Sequence, residues 1–348
     1  MPSIDPAAYS SESIFQLELE RIFSERLFIG TTADFPEVNS YKSLRLAKNA
    51  FTVRRTDVGF KSFNNVCLHR SALIDPLGSG QRPFRCGYHG WAYDNDGSLR
   101  VAPLTDEKCI SRRVLSEYGI GQAGDLLFVG LNGSKPQLDK VEAALNQIGV
   151  PQAPPPPFHT DTLMQECNWK LLVENNIEGY HLSFVHPQSF IPAGFNTSSR
   201  YEWDSDEYTC WSACIPNENT SKLKYLQKLS AAATHDFRHA YVFPNLFLTT
   251  TNQFVGFRSY MIPLSAQRTI LKWELFELPA LLKLAPAVRE EMKKEAIRFT
   301  ATSLAEDKPL VESCQVGLSS IEPNLQLQPA EPRISRFHQY YSGRMQNV

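Results

Sequence analysis

Apolar residues follow three patterns along the chain. In residues 11–24, Ile14, Leu17, Leu19, Ile22 and Phe23 recur at roughly helical spacing behind serines suited to capping, so this stretch reads as one amphipathic helix. From about residue 35 to 132 the runs shorten to strand length. Residues 60–66 and 91–94 read as strands, and Asp75-Pro76, Gly78, Gly80, Pro83 and Asn95-Asp96-Gly97 as turns. Residues 141–148 predict a short helix. Residues 151–157 then hold five prolines in seven positions, a stiff connector and the best boundary in the sequence. Beyond it helices alternate with strands: 238–251, 254–263 and 268–276 read as strands, and 286–305 as a long, charged helix. No internal repeat is legible. The expected organisation is an N-terminal helix (1–34) packing on the last domain, a small all-β domain (35–150) and a larger α+β domain (151–348).

Composition narrows the class. A chain of 348 residues suits two domains, and a formal net charge of −2 leaves no basic footprint for nucleic acid. There is no apolar run of membrane-spanning length, and the first residues have neither a basic region nor a hydrophobic core. The expectation is a cytoplasmic protein with no membrane partner. Seven cysteines are present. Cys109, Cys167, Cys210, Cys214 and Cys314 form an odd remainder once the pair discussed below is set aside, and read as ordinary thiols rather than bridges.

One nucleotide-like motif is set aside. Gly119-Ile120-Gly121-Gln122-Ala123-Gly124 spells G-x-G-x-x-G, but Asp125-Leu126-Leu127-Phe128-Val129 follows it as a buried strand. With no helix opening there, no helix N-terminus is available to hold a pyrophosphate. Electrons for redox chemistry must then come from a separate partner.

That redox chemistry is written in two loops. Cys67-Leu68-His69 and, sixteen residues on, Cys86-Gly87-Tyr88-His89 supply two thiolates and two imidazoles in interleaved order. The order suits a Rieske-type 2Fe–2S cluster, with two Cys on one iron and two His on the other. The competing reading is a Cys₂His₂ zinc site, which usually places both Cys before both His and ends on a helix. Here both loops are flanked by strand-like runs.

A second constellation begins at Glu174-Asn175-Asn176-Ile177-Glu178-Gly179-Tyr180-His181 and continues to His186-Pro187. On a helix Glu178 and His181 lie one turn apart on one face. His181 and His186 suit two positions of a facial triad around ferrous iron, leaving the opposite face open.

Together these residues resemble the α subunit, or terminal oxygenase, of the Rieske non-haem iron ring-hydroxylating oxygenases. The shared stretches are Leu17-Glu18-Leu19-Glu20-Arg21-Ile22-Phe23, Asn65-Val66-Cys67-Leu68-His69-Arg70, the Cys86 loop to Trp91, Asn175 through His186, Phe243-Pro244-Asn245-Leu246, and Glu306-Asp307-Lys308-Pro309-Leu310-Val311-Glu312. The resemblance implies an all-β Rieske domain beside a helix-grip catalytic domain, in which an antiparallel sheet wraps a long C-terminal helix. It implies a cluster on Cys67, His69, Cys86 and His89, and mononuclear Fe(II) on His181, His186 and Asp307, with Glu306 as the fallback carboxylate. Read without the resemblance, Asp307 is as well explained as a helix cap before Pro309. His235 and His239 form a rival pair of ligands.

The resemblance also implies a homotrimer, a reductase and in some systems a ferredoxin as donors, and dioxygen with a small organic substrate. Glu178 occupies a position where the family most often has aspartate. There the carboxylate bridges a cluster histidine of one subunit to an iron histidine of the next, and glutamate is known among relatives acting on quaternary amines. The plainer alternative is that Glu178 orients His181 within one subunit. The expected substrate is an aromatic or heteroaromatic compound, by default a carboxylate, with a quaternary amine as runner-up. Candidate pocket residues are Tyr201, Trp203, Trp211, Phe243, Phe247, Phe254, Phe257 and Trp273, about half of which strand alternation assigns to core.

Overall fold

Seven strands between Leu27 and Gly130 hydrogen-bond into one sheet, in the order Leu27–Thr31, Leu126–Gly130, Glu117–Ala123, Gly59–Asn64, Asn49–Thr56, Ser40–Leu46 and Gly78–Gln81. Every pairing is antiparallel, as short strands joined by tight turns require. The computed structural model describes residues 4–46, 48–105, 113–215, 228, 236–320 and 326–346. They divide into two compact units: Leu19–Leu138, and the chain up to Glu18 together with that from Asp139 onward.

The smaller unit holds both cysteine loops. Beneath them Phe63, Ile74, Phe84, Trp91, Tyr93 and Leu99 form a buried cluster that also contains Cys67 and Cys86. A buried polar clamp closes the base of the first loop. Asn65 Nδ2 donates to the Asp75 carbonyl at 2.7 Å, Asp75 N donates to Asn65 Oδ1 at 2.8 Å, and Arg54 Nη1 meets Asp75 Oδ2 at 2.6 Å. No helix opens at the glycine motif, as expected, but of its glycines, expected as turns, only Gly124 is one: Gly119 and Gly121 lie in the strand Glu117–Ala123. Its glycines serve backbone packing: a Cβ at Gly119 would stand 2.1 Å from the Ser134 carbonyl oxygen.

The larger unit is built on a second seven-stranded antiparallel sheet, ordered His159–Gln165, Arg268–Glu277, Val255–Ser265, Leu246–Thr251, Phe237–Val242, Thr209–Ile215 and Arg200–Ser205. The stretch expected as one strand at 238–251 is a hairpin. Phe243-Pro244-Asn245 turns the chain, because proline cannot donate to a central ladder. The long helix runs Pro286–Ser320, fifteen residues past its expected end, with Pro309 inside it. Proline removes a helical hydrogen bond, but side-chain bonds on either side tie the helix down. Lys308 Nζ donates to the Met164 carbonyl at 2.7 Å, Glu312 Oε1 accepts from Glu166 N at 3.0 Å, and Gln315 Oε1 from Asn168 N at 2.8 Å.

Unit boundaries differ from the expected ones at both ends. Helix Asp139–Ile148 buries Val141, Ala144, Leu145 and Ile148 against strands Thr209–Ile215 and Phe237–Val242, so it belongs to the larger unit, and the proline connector lies within that unit. Strand Leu27–Thr31 pairs with Leu126–Gly130 and belongs to the smaller unit rather than to an N-terminal appendage. Up to Glu18 the N-terminal segment is held by buried polar bonds within the larger unit. Glu18 accepts from Trp169 Nε1 at 2.7 Å, Lys170 Nζ at 2.5 Å and Tyr341 Oη at 2.6 Å. The six described cysteines are free thiols, with Cys314 exposed and the rest buried; Cys109 lies outside the described residues. No helix among the described residues is long and apolar enough to cross a membrane.

Candidate functional site

The two cysteine loops are conformational twins. In each, the cysteine amide donates to the carbonyl five residues on, Cys67 to Ala72 and Cys86 to Trp91, at 2.9 and 2.8 Å. In each, the cysteine carbonyl accepts from the residue four on, Ser71 and Gly90, both at 3.1 Å. Those two residues share a left-handed backbone, φ 58° and 72°. The repeat is invisible in sequence because serine matches glycine and the histidines stand two and three residues after their cysteines.

This folding sorts the ligand atoms by depth. Cys67 and Cys86 are buried, and His69 and His89 are exposed with ring centroids 4.6 Å apart. His69 stacks on Trp91 at 4.7 Å. Tyr93 Oη accepts from Leu68 N at 3.0 Å and lies 3.2 Å from Cys67 Sγ, a contact that fixes the first thiol. Burial raises the Cys67 pKa, so a cationic group is needed to hold it as thiolate. Desolvation, with the charges of His89, Arg70 and Arg113, holds His69 below its ordinary pKa, in the neutral ligand form. Buried sulfurs and exposed imidazoles give sulfur inward and nitrogen outward, the arrangement that a two-iron cluster with two Cys on one iron and two His on the other requires.

His181 and His186 bracket the short helix Leu182–Val185, so one turn carries both rings to the same point. Their Nε2 atoms lie 3.2 Å apart, and Asp307 Oδ1 is 3.1 Å from His186 Nε2 and 3.7 Å from His181 Nε2. An octahedral metal with bonds of about 2.1 Å places neighbouring ligands about 3 Å apart, so the spacing fits one face of such a shell. Asp307 Oδ1 is buried without a hydrogen-bond donor, an orphaned oxygen facing two imidazole nitrogens. Burial opposes charge on His186, yet the Asp307 and Glu306 carboxylates outweigh it and raise its pKa. The environment is built for a cation.

Each far ring nitrogen has its own carboxylate. Glu178 Oε1 meets His181 Nδ1, and its Oε2 accepts from the Tyr180 and His181 amides. Glu306 Oε2 sits 2.9 Å from His186 Nδ1 and accepts from Ser189 Oγ at 2.5 Å, while its Oε1 accepts from Gln188 N at 3.0 Å. Glu306 is therefore not the fallback ligand. One residue before Asp307 on the helix, it is turned by about 100° and takes the outer side of His186. Asp307 lies inside the helix, which removes the capping reading. His239 is buried, bonded to Asn176 Oδ1 at 2.6 Å and pushed down to about 3 by burial and by Arg333. It stands apart from the triad; His235 lies outside the described residues.

The triad opens on a cavity of 250 Å³ between the sheet and the long helix. Of the aromatic candidates, Tyr201, Phe254 and Phe257 line it, whereas Phe243, Phe247 and Trp273 are core and Trp203 is exposed. The sequence reading missed Phe190, Phe195, Phe237 and Phe299, as well as Arg333. Phe190 packs at 4.9 Å on His186 and at 5.1 Å on Phe299. It sits four residues after His186, a proximity that could have flagged it.

The profile of the ring hydroxylating alpha subunit (catalytic domain) matches residues 157–347, and that of the Rieske 2Fe–2S domain matches residues 25–118. The glycine betaine monooxygenase oxygenase subunit of Chromohalobacter salexigens is 31% identical over 199 residues, 53% of this chain and 43% of that protein. Chlorobenzene dioxygenase subunit alpha of Cupriavidus sp. strain PS12 is 28% identical over 208 residues, 55% of this chain and 45% of its own. The chain spans less than half the length of these curated relatives. The fold is shared with the quaternary ammonium Rieske monooxygenase CntA, at a TM-score of 0.79 and 18% identity, over 99% of this chain and 95% of that one.

Proposed function

The chain belongs to the ring-hydroxylating oxygenase α-subunit family, with a Rieske domain ahead of its catalytic domain, and on that premise we propose that it is the terminal oxygenase of a multicomponent system. A separate reductase or ferredoxin supplies electrons, and dioxygen oxidises a C–H bond of a small organic molecule in the cavity. The observation that carries this reading is the convergence of His181, His186 and Asp307 on the wall of an aromatic-lined cavity. When bound, the cluster supplies single electrons and the ferrous iron an open face at which dioxygen is activated.

The protein's own groups prepare that site. Glu178 and Glu306 hold the Nδ1 sides of His181 and His186, which turns both Nε2 lone pairs inward. Asp307 contributes a negative oxygen with no competing donor. Phe190, Phe195, Phe237 and Phe299 exclude water and press a substrate toward the triad. Within the same proposal, Glu178 also links His181 to a cluster histidine of a neighbouring subunit in a trimer. Its alternation between two imidazoles is the route for the electron.

For the substrate we favour a small quaternary ammonium compound over the aromatic ring expected from the family at large. Support comes from Glu178 in place of aspartate, from the betaine-oxidising relative, and from a wall of aromatic rings suited to a desolvated cation. The same rings, and the chlorobenzene relative, support ring hydroxylation as the second reading. The test is oxygen uptake by the purified chain with a reductase and NADH, offered glycine betaine, choline and chlorobenzene in parallel. Labelled oxygen appearing in the product of a quaternary amine supports the reading; label only in chlorobenzene selects the second. Uptake that no substrate stimulates and that labels none of them defeats the oxygenase assignment.

A further inference from the structure

The helix Pro332–Gln346 places a charge in the cavity that the oxygenase reading does not use. Arg333 is 6% exposed, yet it lines the cavity. Its guanidinium stands 4.9 Å over the Tyr201 ring, and Nη1 donates to Ser212 Oγ at 2.6 Å. A guanidinium has five N–H donors and stays charged at any working pH. Among the described residues no carboxylate reaches it as an ion pair. Three other buried cations in this protein do have one: Arg54 has Asp75, Lys170 has Glu18 and Arg258 has Glu274, at 2.6, 2.5 and 2.5 Å. Burying a charge without a counter-charge is strongly unfavourable.

Nearby groups do not supply that counter-charge. Burial lowers the Arg333 pKa from its ordinary value, while Cys210, Tyr201, Glu178 and Cys214 oppose it through space. Glu178 is the one carboxylate among these, and both its oxygens are engaged by His181 and the adjoining amides. Cys210 and Cys214 are held as neutral thiols by burial. Arg333 is also the only lysine or arginine among the described lining residues, in a wall that is otherwise mostly apolar.

We propose that Arg333 anchors a carboxylate of the substrate, so that the molecule oxidised here is an organic acid anion gripped at one end by the guanidinium fork. The inference rests on this cavity being the substrate site. A planar two-oxygen anion matches the fork, and one fixed cation calls for one negative charge. The rest of the molecule, a quaternary ammonium or an aromatic ring, is left to the aromatic wall and the triad.

Isothermal titration of the holoenzyme with two matched pairs of probes tests this: glycine betaine against choline, and benzoate against benzyl alcohol. In at least one pair the carboxylate is expected to bind about 10–100-fold tighter, the effect of a charged hydrogen-bonded contact. Which pair responds identifies the other end of the molecule. Arg333→Gln, which can still meet Ser212, should reduce the preference to about twofold or less. Arg333→Lys keeps charge but not the fork and should fall between. The cluster's visible spectrum and circular dichroism establish that each variant is folded. Equal binding within both pairs by the wild type overturns the assignment, and so does a carboxylate preference that survives Arg333→Gln. Should Arg333→Gln not fold, an undiminished preference in Arg333→Lys overturns it. Turnover of choline or chlorobenzene by a wild type without carboxylate preference would overturn the anchor and leave the oxygenase reading intact.

Discussion

Asp307 and Glu306 are adjacent carboxylates with opposite duties, and substitutions separate them. Asp307→Ala removes the orphaned oxygen facing both Nε2 atoms. It should abolish mononuclear iron and turnover while the visible bands of the cluster persist, read by metal analysis beside the spectrum. Glu306→Gln leaves all three inward donors in place and removes the charge behind His186. Iron affinity should fall by about 10–100-fold, the usual effect of losing a partner of a ligating histidine, and excess ferrous iron should restore activity. Equal effects of the two variants would mean the roles are misassigned. Glu178→Gln keeps size and loses charge. Both metals should load and the cluster should reduce, but single-turnover transfer to the mononuclear site should slow by more than about 100-fold, beyond the range of an orienting role alone. Transfer at the wild-type rate would leave Glu178 only as the holder of His181.

The twin loops make a prediction about elements. Both place the fourth residue after cysteine in the left-handed region, which costs a non-glycine residue roughly 1–2 kcal/mol. Ser71→Gly should therefore leave the cluster intact and stabilise the smaller unit by up to about 1 kcal/mol, less the added freedom of the unfolded glycine. Gly90→Ala should cost about 1–2 kcal/mol from backbone strain alone. Its new Cβ would also stand 2.6 Å from Arg85 Nη2, a flexible group able to move. Bleaching of the visible bands against denaturant measures both. Equal midpoints for the two variants would show that the loops are not conformationally equivalent in solution.

Across the larger unit, the Glu18–Lys170 pair ties the start of the chain to the helix Trp169–Asn176, which leads into the iron turn. Both side chains are fully buried, and Tyr9, Trp169 and Tyr341 rings surround the ammonium at 5.1–5.3 Å. Breaking one partner leaves the other charged and dry, so Lys170→Met should destabilise the unit by about 3–5 kcal/mol. Adding Glu18→Gln should recover part of that loss, because the double variant has no orphaned charge. The cluster spectrum, which reports the smaller unit, should change little in either. A thermal scan followed by tryptophan fluorescence measures the first effect; a double variant no more stable than the single one would show that the anchor is not electrostatic.

Local chemistry was enough to point to a mixed sulfur–nitrogen site and to the histidine pair of the second site. Cys67, His69, Cys86 and His89 declare a mixed sulfur–nitrogen site by type and order, and Glu178, His181 and His186 lie within one short stretch of chain around the helix Leu182–Val185, so local folding sets most of their geometry. Hydrophobic period and turn residues separated the strand-rich stretch from the mixed one, and the α+β fold class followed from the family resemblance. Tertiary structure decided what depends on residues far apart in sequence. Asp307 rather than Glu306 faces the two histidines because the long helix continues through Pro309 and fixes the angle of each side chain. The helix Asp139–Ile148 joined the larger unit because its apolar face found a partner there. Pocket and core aromatics share one alternating pattern, and only the position of the long helix told Phe257 from Phe247. Arg333 carries no sequence signal at all: an arginine in a polar C-terminal helix reads as solvated until the fold buries it against the cavity without a carboxylate partner among the described residues.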